Sequence, residues 1–191
     1  MPRAGLSRSA VVALAVELAQ GSWNGPSELS LSAVAARAGV STPSLYKHVA
    51  SLAELRAGVA LVAVRELTGA CTAATVGRSG EDALRALAGA VRGFARDRPG
   101  LYAAVQFDAA AGTTPELAAA AAALVALFSA VLRGFGLPEE RSVDAVRTVR
   151  AAVHGFVVLE AQGGFQLPDD VGRSLDTLLD VLAAGLRSLA P

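Results

Sequence analysis

The chain has 191 residues, 53% of them hydrophobic, and a single cysteine. This is enough chain for one or two small domains with a sizeable core, and the lone Cys71 excludes an intrachain disulfide and a cysteine-rich metal site. The net charge is zero, yet residues 1–56 hold five basic and three acidic residues, whereas the remainder holds twelve and fourteen. The asymmetry is weak, but it has the sign of an N-terminal module that binds nucleic acid.

The first helix is predicted over residues 6–20, ended by Gly21, with an apolar face at helical spacing made of Val12, Ala15, Val16 and Ala19. Ser22–Glu28 is predicted to be a loop because it contains Gly25-Pro26. Trp23 in this loop is expected to pack over the first two helices rather than to contact nucleic acid.

A second helix is predicted over Leu31–Ala38, capped by Ser30. Gly39 suits a backbone with positive φ, which ends that helix. A very short third helix follows, capped by Ser41 or Thr42, with Pro43 in its first turn. Leu45 and Val49 lie four residues apart and are expected to face inward.

The polar residues of this short helix are suited to a DNA major groove. Its N-terminal residues would meet base edges, and the residues that follow would meet phosphates. Ser30 is expected either to cap its helix alone or to cap it and hold a phosphate as well. The candidate DNA-binding residues are Ser30, Ser41, Thr42, Pro43, Ser44, Tyr46, Lys47 and His48.

The run Leu29–Leu55, LSLSAVAARAGVSTPSLYKHVASLAEL, resembles the helix-turn-helix of the TetR family of bacterial transcriptional regulators. PSLYKHV is similar to the family's recognition helix. Two departures stand out. Leu52 occupies a position where many members have a lysine that contacts phosphate, and Val49 replaces a common aromatic residue. The first departure shifts the expected backbone contacts towards Tyr46, Lys47 and His48.

The remaining periodicity predicts six further helices, about nine in total, so the fold class is all-α. A long helix capped by Ser51 is expected to reach about Cys71, and Val76–Gly80 is expected to break the chain. The other predicted helices run from Ser79 to about Arg98, from Leu101 to Ala111, from Thr114 to about Phe135, from Leu137 to about Gln162 and from Pro168 to about Leu189.

The last two predicted helices carry long valine and leucine stripes, such as Val143, Val146 and Val149. These stripes could be wholly internal, or they could pair two subunits as a four-helix bundle, which we favour because paired heads increase affinity. The segment Arg150–Phe165 resembles the C-terminal domain of a TetR subgroup named for a Trp-His-Gly triplet, with Val153 in place of the tryptophan.

No catalytic site is expected, because the sequence has no phosphate-binding glycine loop, no metal-ligand spacing and only two histidines. We therefore predict neither cofactor nor metal. His154 is expected to be either a buried structural histidine or a pocket residue. An effector pocket between helices would be mostly apolar, and its candidate residues are Phe94, Tyr102, Gln106, Phe107, Phe128, His154 and Phe156.

The resemblance implies a helix-turn-helix DNA-binding head in residues 1–56 and a helical effector-binding and dimerisation domain in residues 57–191. It implies a homodimeric repressor that binds a palindromic operator in double-stranded DNA and responds to an unknown small organic effector. Neither a membrane span nor a signal peptide is expected, so the predicted location is the cytoplasm. The alternative is a helical small-molecule-binding or scaffold protein that has lost DNA binding.

Overall fold

The computed structural model describes residues 6–21, 23–106 and 114–190, and every regular element within these ranges is a helix. The ten helices are α1 (Arg8–Ala19), α2 (Gly25–Glu28), α3 (Leu31–Ala38), α4 (Thr42–Leu45), α5 (Leu52–Thr75), α6 (Gly80–Asp97), α7 (Pro99–Val105), α8 (Pro115–Arg133), α9 (Glu139–Ala161) and α10 (Val171–Leu189). The all-α prediction is confirmed. The expected count of about nine becomes ten because of α2.

The prediction of a loop over Ser22–Glu28 is wrong for its second half, where α2 forms a single turn. The carbonyl of Asn24 accepts the N–H groups of Ser27 at 2.9 Å and Glu28 at 3.0 Å. A proline fits the first turn of a helix because its missing N–H would be unsatisfied there anyway. Gly-Pro therefore starts a helix here instead of excluding one, and Gly25 also lies so close to the Ala19 backbone that a Cβ would collide with it.

The bounds of α5 and α7 also differ from the expected ones. Helix α5 continues one turn beyond Cys71 to Thr75, whose hydroxyl donates to the Cys71 carbonyl at 2.9 Å. Helix α7 begins at Pro99 rather than Leu101, again with a proline in the first turn. Its predicted extension to Ala111 falls on residues 107–113, outside the described ranges.

The chain forms two compact units, residues 1–66 with 97–121 and residues 67–96 with 122–191. The core of the first unit includes Val11, Ala15, Val34, Leu45, Leu55, Val59 and Leu101. The core of the second includes Leu84, Leu87, Val149, Val153, Leu179 and Ala183. Helices α5 and α8 contribute residues to both units, and the division at residue 56 stays a prediction.

By length and composition alone, two segments could cross a membrane, Leu52–Thr75 and Pro115–Phe135. This is weak evidence, because the core helices of soluble proteins pass the same test. Helix α5 places a stripe of apolar residues in the core, including Leu55, Val59, Ala63 and Leu67. We interpret α5 as such a core helix.

Candidate nucleic-acid interface

Helix α3 is closed at both ends by the residues that the sequence predicts. The Ser30 Oγ accepts the Ala33 N–H at 3.2 Å. At the other end Gly39 has φ +68°, and the N–H of Val40 reaches the Ala35 carbonyl at 3.1 Å. This Schellman closure needs a left-handed residue, which only glycine adopts without strain. The chain therefore leaves α3 in a defined direction.

Helix α4 is a single turn, Thr42–Leu45, that continues as a turn to His48. The carbonyl of Leu45 accepts the N–H groups of His48 at 2.8 Å and Val49 at 3.0 Å. Leu45 is 0% exposed and Val49 is 1% exposed, so both predicted anchors are buried. We call residues Ser41–Val49 the recognition segment; one side of it is fixed in the core, and the rest faces outward.

Ser41 occupies the N-cap position of α4, but its side chain makes no capping bond. Its hydroxyl instead lies 2.9 Å from the hydroxyl of Ser44. Because either oxygen can donate, the pair offers both a hydrogen-bond donor and an acceptor to an outside partner.

All eight predicted DNA-binding residues reach the surface of the first unit. Ser41, Pro43, Tyr46 and Lys47 are exposed, and Tyr46 has 55% of its surface open. The half-buried members are Ser30, Thr42, Ser44 and His48. Helix α3 packs against α4, so Ser30 belongs to the same part of the unit as the recognition segment.

Most positive charge in this region is already paired. The Arg8 Nε donates to Glu54 at 3.0 Å, and Arg37 donates to Glu17 at 3.0 Å. Arg56 donates to the carbonyls of the Ser27–Leu29 stretch. Within the described part of residues 6–56, Lys47 is the one basic residue with neither an ion pair nor a hydrogen bond.

Glu54 has a structural role that the sequence reasoning missed. One of its carboxylate oxygens accepts the Ala50 N–H at 2.7 Å, and the other accepts Arg8. The Glu54 N–H donates in turn to the Ser51 Oγ at 3.1 Å. The Ala50 N–H, and then Arg8, hold the pKa of the Glu54 carboxyl below its usual range. The spacing Ser51-x-x-Glu54 is a capping-box pattern and could have revealed it.

Arg56 has a second structural role that the sequence did not predict. Its guanidinium donates to the Ser27 carbonyl at 2.8 Å and to the Leu29 carbonyl at 3.3 Å. These carbonyls lie at the C-terminal end of α2, where a cation is favourable because the helix dipole is negative there. The contact holds the chain immediately before Ser30, the N-cap of α3.

Trp23 packs against a residue that the sequence did not predict. Its ring meets Tyr102 edge to face, with centroids 5.5 Å apart and planes at 77°. Beside this contact the Gly100 N–H donates to the Gln20 carbonyl at 3.3 Å. Helix α7 therefore packs against α1 and α2.

The predicted effector-pocket residues are divided between the two units. Tyr102 is buried and Gln106 exposed in the first unit, whereas Phe128 and Phe156 are buried in the second. Phe94 and His154 are half-buried there, and Phe107 lies outside the described residues. Phe156 contacts Phe165 with ring centroids 4.9 Å apart. Burial, with Arg150 nearby, lowers the pKa of His154, which favours a neutral imidazole.

The described side chains bear on two kinds of chemistry, a cysteine nucleophile and a metal site. Burial raises the pKa of the Cys71 thiol to about 12, so the thiolate that a cysteine nucleophile needs does not form at neutral pH. Within residues 6–21, 23–106 and 114–190, no group of three or more His, Cys, Asp or Glu side chains could hold a metal ion.

Comparison with known proteins decides the family. The family model for the tetracyclin repressor-like C-terminal domain matches residues 84–182. Rv0681 of Mycobacterium tuberculosis, an uncharacterized HTH-type transcriptional regulator, is 35% identical over 182 residues, which is 95% of this chain and 82% of the relative. YobS of Bacillus subtilis, named in the same way, is 30% identical over 186 residues, 97% of this chain and 95% of the relative.

The chain belongs to the TetR family. As a TetR-family protein it is a DNA-binding transcriptional regulator, in agreement with the head geometry described above. The narrower assignment to the Trp-His-Gly subgroup stays a prediction.

Solved structures share the fold of this TetR-family chain. A Rhodococcus protein of unknown function matches with a TM-score of 0.80 at 24% identity, covering 98% of this chain and 99% of that one. A TetR variant from Acinetobacter baumannii in complex with minocycline matches at 0.68 and 24% identity, covering 98% and 99%. BioQ with its double-stranded DNA operator matches at 0.60 and 24% identity, covering 94% and 99%.

Proposed function

We propose that this TetR-family regulator is a homodimeric, ligand-responsive repressor whose two heads read a palindromic operator in successive major grooves. The observation that carries the proposal is the recognition segment. Its two apolar residues are buried, and its hydroxyls, phenol, amine and imidazole reach the surface. BioQ, which shares the fold, has been solved with operator DNA. Residues 1–56 supply the reader in this proposal, and residues 57–191 supply effector binding and dimerisation.

Thr42, Pro43 and Ser44 face the bases in this proposal, with Ser41 completing the hydroxyl pair. They lie at the N-terminal end of α4, the end of a recognition helix that meets base edges. Tyr46, Lys47 and His48 follow on the outward side and face phosphates. The Ser30 oxygen accepts the Ala33 N–H and lies 3.1 Å from the Ser32 hydroxyl. When Ser32 is the donor of that pair, the Ser30 hydroxyl can donate a hydrogen bond to a phosphate.

Dimerisation through α9 and α10 is supported by apolar side chains that these helices leave exposed. Val143 is 57% exposed on α9, and Val181 is 65% exposed on α10. Near them runs a groove of about 320 Å³ between the two helices, lined by residues that include Ala145, Val181, Leu182 and Leu186. Exposed apolar side chains around a groove mark an interaction surface, and a two-fold dimer would cover both copies with one interface.

The proposed effector is an uncharged or weakly polar organic molecule that binds to the predominantly apolar candidate residues. The proposed location of the regulator is the cytoplasm. The minocycline complex of a TetR variant with this fold supports a small-molecule partner. Phe128, Phe156 and a neutral His154 fit such a ligand, because they offer apolar surface and one polar group. Binding would favour one of two arrangements of the dimer and so change operator affinity.

The alternative, a scaffold protein that no longer binds DNA, is favoured by one observation. Lys47 is the one basic side chain without a partner in the described part of residues 6–56. Phosphate neutralisation supplies much of the affinity for DNA, so a single available cation per head means modest affinity per subunit.

Selection from a random double-stranded library tests the proposal. The parent protein should enrich a palindromic sequence, and the enriched duplex is then titrated at several salt concentrations. Lys47→Ala should weaken binding to every duplex and reduce the salt slope by about one per subunit. Thr42→Ala should change the preferred sequence instead.

Arg133→Ala is the matched control, because it removes an exposed positive charge in the last turn of α8, far along the chain from the head and outside α9 and α10. It should leave affinity and salt slope unchanged. Failure of the parent to enrich any sequence would support the scaffold alternative and exclude the repressor.

A further inference from the structure

The junction between the recognition segment and α5 is held by one carboxylate with two separate partners. One oxygen of Glu54 accepts the Ala50 N–H at 2.7 Å, and the other accepts the Arg8 Nε–H at 3.0 Å. Ala50 directly follows Val49, and Arg8 is the first residue of α1. A single side chain therefore ties the end of the recognition segment to a helix 46 residues away in sequence.

Such a tie adds orientation to a recognition segment that is itself short. Its helical part has only four residues, and its buried anchors, Leu45 and Val49, lie on one side. Apolar burial holds a segment down but is non-directional. Directional bonds act at the two ends, from the Gly39 closure at the start and from Glu54 at the finish.

We propose that Glu54 and Arg8 are positioning residues for sequence reading: they set the angle at which the recognition segment presents Thr42, Pro43 and Ser44. This inference rests on the proposed operator binding. Neither residue contacts DNA in the proposal. Without the Glu54 hydrogen bonds the recognition segment stays in place but tilts. A small tilt removes contacts with base edges, whereas contacts with the phosphate backbone, which do not depend on sequence, can re-form.

Electrostatics alone predicts the opposite result for Glu54. Removal of a negative charge from a DNA-binding head should strengthen binding to all duplexes, because phosphate attraction is independent of sequence. A capping residue that served only stability would change the unfolding midpoint and leave the ratio of specific to non-specific affinity unchanged. The ratio of specific to non-specific affinity therefore distinguishes a positioning role from a purely electrostatic role and from a role in stability alone.

The experiment uses the full-length protein, the duplex that the parent enriches from a random library, and a scrambled duplex of the same length. Glu54→Ala should weaken binding to the enriched duplex by about tenfold or more, while binding to the scrambled duplex stays equal or becomes tighter. Glu54→Gln keeps an acceptor for the Ala50 N–H but loses the charge that pairs with Arg8. Its ratio should fall between those of Glu54→Ala and the parent.

Glu17→Ala is the matched control. Glu17 also accepts an arginine at 3.0 Å in the same unit, but its partner Arg37 lies on α3, and the pair reaches no backbone of the recognition segment. This variant removes the same charge and should leave the affinity ratio at the parent value.

Circular dichroism at the assay temperature verifies that each variant is folded, and Glu54→Gln carries the test if Glu54→Ala does not fold. Equal affinity ratios for the Glu54 variants and Glu17→Ala would overturn the inference and leave the proposed function standing. If the parent enriches no sequence, both are overturned.

Discussion

The residue pair Leu45 and Val49 determines which side of the recognition segment faces outward. Their four-residue spacing predicts one helical face, and both are almost fully buried. The polar residues between and around them are exposed or half-buried as a consequence. Sequence reasoning succeeds here because the cause is local: in a single helical turn, burial of one side determines which side is left for a partner.

Gly39 allows a test at the scale of one residue. Its φ is +68°, and an added Cβ would meet nothing within 4 Å, so Gly39→Ala introduces backbone strain without a clash. The expected loss in the free energy of unfolding is about 1–2 kcal/mol, measured by urea denaturation.

Gly89→Ala is the control, because Gly89 lies within α6, also has nothing within 4 Å, and has no positive φ. It should be neutral or stabilising by about 0.5–1 kcal/mol, since alanine favours helices. Equal effects of the two substitutions would mean that the left-handed closure is not needed.

Between elements, the pair of Arg92 on α6 and Glu160 on α9 stands out from the exposed ion pairs. Arg92 donates to both Glu160 oxygens, with Nε to Oε2 at 2.7 Å, and both side chains are about 30% exposed. Arg92 holds the pKa of the Glu160 carboxyl below its usual range. Bidentate, partly buried pairs of this kind contribute more than exposed ones.

Glu160→Gln should lower the free energy of unfolding at neutral pH by about 1–2 kcal/mol. Because the folded pKa of Glu160 is lowered, its contribution is present above the unfolded pKa and is lost as pH falls through the folded one. The gap between parent and variant in urea unfolding should therefore narrow below about pH 4.

Asp82→Asn is the control for this experiment, since the Arg78–Asp82 pair is more exposed, at 46% and 66%. Its effect at neutral pH should stay within about 0.5 kcal/mol. If the difference in free energy of unfolding between the parent and Glu160→Gln does not change with pH, the ion pair of Arg92 with ionised Glu160 is not its cause.

For the whole molecule, the proposed dimer depends on the exposed apolar residues of α9 and α10. Val181→Asp places a charge where a partner would bury a methyl pair, and an unpaired buried charge is strongly unfavourable. Sedimentation velocity should show at least tenfold weaker self-association, with a matching loss of affinity for the selected duplex.

Val76→Asp is the control that tests whether a charge at any exposed apolar position weakens self-association. Val76 is 73% exposed, more than Val181 at 65%, and follows the end of α5 rather than lying on α9 or α10. It should associate like the parent. A Val181→Asp protein that associates like Val76→Asp would place the dimer interface elsewhere.

The sequence alone determined nine of the ten helices in the described residues and the helix-turn-helix with its outward face, because periodicity, capping and turn glycines act within a few residues. Tertiary structure decided what each charge and aromatic ring contacts. Arg8 binds Glu54, and Trp23 meets Tyr102. α2 was missed because Gly-Pro is compatible with both a loop and a helical first turn. Contacts between residues far apart in sequence exist only once folding brings their helices together, so no local pattern contains them.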